Sequence, residues 1–92
     1  MRRAAKVDLA QKDLVAELRE GGYSVAITSQ LGNGFPDLVV SDGFNTVLVE
    51  VKNGPKDQLT LKEKAFHANW PESQLLIAWN ADQVQEHFRS LL

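Results

Sequence analysis

The stretch that most constrains this chain is PDLVVSDGFNTVLVEVK, residues 36–52. Two runs rich in β-branched residues, PDLVVS and NTVLVEVK, flank Asp42-Gly43, a strong short-range hairpin signal, and predict two paired strands. Side chains alternate along a strand, so Leu48, Glu50 and Lys52 share one face while Val47, Val49 and Val51 take the other. A two-residue turn at Asp42 and Gly43 pairs Ser41 with Phe44 and sets Asp37 opposite Leu48. A four-residue turn sets Asp37 opposite Glu50 instead. Either register puts Asp37 on the face of Glu50 and Lys52, whereas a plain three-residue loop would separate them.

The hairpin sits within a regular alternation. Residues 8–20, DLAQKDLVAELRE, carry Leu14, Val15 and Leu18 at helical spacing and stop at Gly21-Gly22. YSVAITSQ, residues 23–30, alternates as a strand and runs into the loop LGNG. After the hairpin, Thr60 with Glu63 forms a capping-box pattern, and Leu61, Ala65, Phe66 and Trp70 repeat at helical spacing before Pro71. QLLIAW, residues 74–79, reads as a short strand, and the Asn80/Gln83 pair caps a last helix with Val84, Phe88 and Leu91 as its apolar stripe. The expected order is α-β-β-β-α-β-α. Strands this apolar on both faces predict an α/β fold with a mixed central sheet flanked by helices on both sides.

A chain of 92 residues has apolar area for one core, so a single domain over 1–92 is expected. Its 43% hydrophobic and 24% charged residues are those of a globular protein, and the lack of cysteine excludes disulfides, thiolate catalysis and zinc-thiolate sites. No apolar run approaches the length of a membrane span, and MRRAAKVDLAQ has no apolar signal core, so a soluble, cytosolic or otherwise intracellular protein is expected. The net charge of -2 is unlike that of a nucleic-acid coat protein, yet basic residues cluster at Arg2, Arg3 and Lys6, and again at Lys52, Lys56, Lys62 and Lys64.

Asp37 and Glu50 within roughly 5–8 Å of each other across two strands would repel and lose solvation unless a positive charge lay between them. A hard divalent cation meets that need. Magnesium takes one or two carboxylates together with waters and phosphate oxygens. Lys52, next on the same face, is placed to neutralise phosphate charge or to lower the pKa of an attacking water. Pro36 fixes its own backbone angle and biases Phe35 to be extended, delivering Asp37 at the strand start.

Pro36-Asp37, twelve intervening residues, then Glu50-Val51-Lys52 resembles the PD-(D/E)XK nuclease signature. The α-β-β-β-α-β order over about residues 8–79 resembles that superfamily's restriction-endonuclease-like core, here with an extra C-terminal helix. The wording GFPDLVV…VEVKNG, with Gln58 shortly after, is similar to the compact VRR-Nuc branch, whose smallest members resemble phage-type or Holliday-junction-resolvase-like endonucleases. The resemblance implies that Asp37 and Glu50 bind magnesium or manganese with help from the Val51 carbonyl, and that Lys52 assists the water nucleophile. It further implies an acidic ligand from the first helix, for which Glu17 at the edge of the apolar stripe is the choice. Gln58 takes the polar position that follows the lysine, reaching a phosphate or a water at the metal.

The expected activity is metal-dependent endonucleolytic hydrolysis of DNA, leaving 5′-phosphate and 3′-hydroxyl ends as the resemblance implies. Lys56, in the loop after the site, and Arg2 and Arg3, as a basic arm, are the DNA-binding candidates. No recognition helix or zinc finger is apparent, so specificity is expected from DNA shape or branching. Symmetric resolution of a four-way junction needs two sites, which predicts a homodimer joined through Trp70, Trp79 or Phe88. His67 reads as a packed or surface histidine rather than a catalyst, and Trp70 and Trp79 as core or interface anchors rather than base-stacking platforms. The alternative is a non-catalytic module that binds nucleic acid or protein on a nuclease-like fold.

Overall fold

The computed structural model describes residues 2–92, with side chains from Ala10 onward. Arg2, Arg3 and Lys6 therefore have side chains outside the described residues. The element order is the expected one: α1 (Arg2–Glu20), β1 (Ser24–Ile27), β2 (Leu38–Ser41), β3 (Thr46–Val51), α2 (Leu61–Ala68), β4 (Leu75–Ala78) and α3 (Ala81–Ser90), with a 3-10 turn at Glu72–Gln74 before β4. The strands lie in sequence order, antiparallel from β1 to β3 and parallel between β3 and β4. The sheet is thus mixed and the fold α/β.

The strongest helix stop is at α1. Gly22 takes φ +93, and Tyr23 and Gly22 donate backbone hydrogen bonds to the carbonyls of Leu18 and Arg19, the paired bonds of a Schellman ending. α1 and α3 lie together on one face of the sheet. Leu14, Val15 and Leu18 from α1 and Ala81, Val84 and Phe88 from α3 close over Leu38, Val40, Val47, Val49, Val51 and Ala78. Phe88 packs 5.2 Å from Tyr23 and is only 2% exposed, so it belongs to this core and is not available to a dimer interface.

The second face is covered less than the strand pattern suggests. α2 has no buried residue, and Ile77 of β4 is exposed on that side. The expected stripe of α2 also differs: Leu61 is 83% exposed, while Glu63, Phe66 and His67 are the partly buried positions. α2 is held through loop contacts instead. Gly34 has φ +83, and a Cβ there would collide with the Lys62 carbonyl, so the loop before β2 touches the backbone of α2 directly. Among the described residues no helix is long and apolar enough to cross a membrane.

Candidate metal-ion and phosphate site

The hairpin turn sets the geometry. Ser41 pairs with Thr46, leaving the four residues Asp42–Asn45 in the turn. Asp42 closes it by accepting from the amides of Phe44 and Asn45 at 2.9 and 2.8 Å, and Gly43 supplies φ +98. Leu38 therefore pairs with Val49, and the next position brings Asp37 opposite Glu50. Of the registers that the sequence leaves open, this one brings the two carboxylates closest.

Asp37 is anchored from two sides. Its Oδ2 accepts from the Val51 amide at 2.9 Å. Thr28, just after β1, donates its amide to the Asp37 carbonyl at 2.7 Å and its hydroxyl to the Pro36 carbonyl at 2.8 Å. Burial raises the Asp37 carboxyl above its ordinary value, against the lowering effect of the Val51 amide.

Glu50 is 2% exposed, and its Oε1 is buried without a hydrogen-bond partner. Burial first, and then the negative charge of Asp37 beside it, push the carboxyl up to about 9. Lys52 is 9% exposed, with Nζ 3.8 Å from Glu50 Oε2 and 2.9 Å from Glu63 Oε1. Burial works against its ammonium, but the hydrogen bond and charge of Glu63, joined by Glu50 and Asp57, hold its pKa above the ordinary lysine value. Lys52 is thus a fixed cation at neutral pH, suited to meeting anionic charge rather than taking up a proton.

Glu63 is the residue that the sequence pattern hid. Its Oε1 accepts from the Thr60 amide at 2.9 Å, completing the capping box, and the same oxygen takes the Lys52 ammonium. A capping-box glutamate is accounted for locally, so nothing in its spacing points to a second bond 11 residues back. Thr28 was hidden as well, because its role is to hold backbone. His67, one turn after Glu63 on α2, has Nε2 buried without a partner, and burial lowers its pKa.

Three of the expected residues, Asp37, Glu50 and Lys52, come together, with Val51 between the last two and its side chain in the core. Glu17 does not join them. It is exposed on α1, the helix that covers the opposite, apolar face. Gln58 and Lys56 are both exposed in the loop between β3 and α2, on either side of Asp57, and neither side chain makes a hydrogen bond or ion pair to the buried cluster.

The donor set fits one hard divalent cation. It offers two facing carboxylates, one of them with a buried orphan oxygen, which is the number that magnesium usually takes from protein. Among the described residues no group of three or more histidine, cysteine, aspartate or glutamate side chains is arranged as a metal cage, so water or phosphate oxygens would complete the shell. Comparison with protein-family models, with curated proteins and with solved structures gives no match to this chain.

Proposed function

We propose that this protein is a magnesium- or manganese-dependent endonuclease that hydrolyses phosphodiester bonds in DNA, acting on branched substrates such as four-way junctions. The observation that carries this reading is the buried Glu50 carboxyl, with its Oε1 unpartnered, facing Asp37 beside Lys52, whose ammonium is favoured by its acidic neighbours. Bringing two carboxyl groups together in a largely dry patch costs more in desolvation and mutual repulsion than the neighbouring lysine returns, which favours a ligand over stability as the reason for their placement.

In this reading Asp37 and Glu50 hold the cation, which supplies charge for the developing phosphoryl oxygens and lowers the pKa of water when bound. Asp37 is kept in place by Val51 and Thr28, so its carboxylate needs no reorganisation. Lys52 donates to a non-bridging phosphate oxygen and stabilises the charge that builds there. Lys56, exposed beyond the end of β3, meets the flanking backbone. Two copies related by a two-fold axis would cut both strands of a junction, and the exposed Trp79 remains available to join them. A sedimentation profile with monomer alone at high concentration would remove the dimer.

The test is cleavage of end-labelled four-way junction, flap, duplex and single-stranded DNA with magnesium, manganese or EDTA, for wild type and Lys52→Ala. Metal-dependent cutting of the branched substrates, lost in the variant, is expected. Binding of intact DNA without cleavage under every condition would instead select the non-catalytic module.

A further inference from the structure

Beside the carboxylates lies a feature that phosphodiester hydrolysis does not use. Phe35, two residues before Asp37, meets Phe66 of α2 edge to face at 5.2 Å, and Phe66 stacks on Trp70 at 5.1 Å with an interplanar angle of 18°. The three rings thus link the loop that precedes Asp37, through Phe66 of α2, to the segment just after that helix. Phe66 lies on the side of α2 that carries Glu63 and His67, the side from which Glu63 reaches Lys52, and Trp70 follows two residues after the helix ends with its ring stacked on Phe66.

These rings are not core. α2 has no buried residue, and Trp70 keeps 39% of its surface exposed although Phe66 is stacked against it. A core tryptophan would be enclosed by aliphatic side chains, and the hydrophobic core on the other face of the sheet does not include these rings. Lys62 and Lys64 lie on the two sides of Glu63 at the start of α2, within a turn of Phe66, both exposed and neither in an ion pair among the described residues. Flat apolar rings bordered by cations match an unpaired nucleotide, whose base stacks while its phosphate meets the lysines. The same border disfavours a second copy of this chain, which would bring its own lysines against these.

We propose that Trp70, backed by Phe66, is a stacking subsite for an unpaired nucleobase adjoining the cleaved phosphate, so that the enzyme selects DNA with a single-stranded or displaced nucleotide. This rests on the nuclease reading for its position next to the scissile bond, but not for the binding itself. A base paired within a duplex has its faces already stacked and gains nothing from the ring, whereas a nucleotide at a junction or flap has a free face. Recognition by shape and recognition by stacking then coincide in one element.

The test uses Trp79→Phe protein, in which Trp70 is the sole tryptophan of the two in the chain, titrated in EDTA with oligothymidylate and with blunt duplex while emission is followed. Oligothymidylate is expected to quench Trp70 and duplex to leave it nearly unchanged. Trp70→Leu should weaken oligothymidylate binding roughly tenfold and leave duplex binding as it was, and Trp70→Tyr should restore most of the loss. The proposal is overturned if oligothymidylate binds without quenching, if it does not bind, or if Trp70→Leu lowers both affinities equally. It is also overturned if Trp70→Leu abolishes self-association while single-strand binding is unaltered. The quenching result decides the matter even if Trp70→Leu fails to fold. Because no metal is present, failure here differs from failure of the nuclease reading, which would appear as absent cleavage in magnesium with quenching intact.

Discussion

Lys52 Nζ lies 2.9 Å from Glu63 and 3.8 Å from Glu50, so the lysine of the hairpin is tied more closely to α2 than to its own strand. The contact joins the end of β3 to α2, a helix with no buried residues. It also sets the charge state on which the proposed chemistry depends.

Glu63→Gln tests that link with little damage to the helix, since glutamine at this position still completes a capping box. Glu63 raises the Lys52 pKa, so its removal should lower it. If cleavage needs the ammonium, the alkaline limb of the pH–rate profile moves to lower pH in the variant. A limb that stays in place would separate Lys52 protonation from turnover.

Glu50 makes the metal-free protein sensitive to pH in a defined direction. Its folded pKa of about 9 lies above the unfolded value near 4.5, so the protonated form favours the fold and that stability is lost as pH rises toward 9. Asp37, also raised, acts in the same sense. His67, whose pKa is lowered from 6.5, acts in the opposite sense, but its contribution is nearly complete by about pH 8 and leaves the slope above that to Glu50. Thermal melts in EDTA should therefore show Tm falling from pH 7 to pH 9. Glu50→Gln should flatten this trend, and millimolar magnesium should reduce it by replacing the proton with a cation. A wild-type Tm that is level or rising across this interval in EDTA would contradict the account.

Gly34 and Gly43 separate backbone strain from close approach. Both have positive φ, but a Cβ at Gly43 meets nothing within 4 Å, whereas one at Gly34 strikes the Lys62 carbonyl. Gly43→Ala should cost about 1 kcal/mol, a Tm loss of roughly 4–8 °C for a domain this size. Gly34→Ala should cost more, about 2–3 kcal/mol, and should also reduce cleavage by displacing α2 and the Glu63 partner of Lys52. Equal losses in denaturant melts would show that the loop accommodates the methyl group.

Much of this arrangement is legible in the sequence because strand periodicity is rigid. The alternation of Leu48, Glu50 and Lys52 against three valines fixes their shared face, and both capping boxes are visible from spacing alone. Register is not legible, because it depends on Asp42 using its side chain to close a four-residue turn where a two-residue turn was equally readable. The stripe of α2 misleads for a related reason. A helix held by loop contacts at Gly34 need not bury its apolar residues, so Leu61 faces solvent and the polar Glu63 faces in. Glu17 is not brought beside Asp37 and Glu50, because its position on a helical wheel says nothing about which face of the sheet the helix will cover.

The central claim is that Asp37 and Glu50 hold a divalent cation, and manganese binding followed by electron paramagnetic resonance tests it most directly. Wild type, with and without four-way junction DNA, should remove free manganese from solution at one site per chain, and Asp37→Asn/Glu50→Gln should not. Equal binding by both proteins, or none by wild type even with DNA present, would contradict the account.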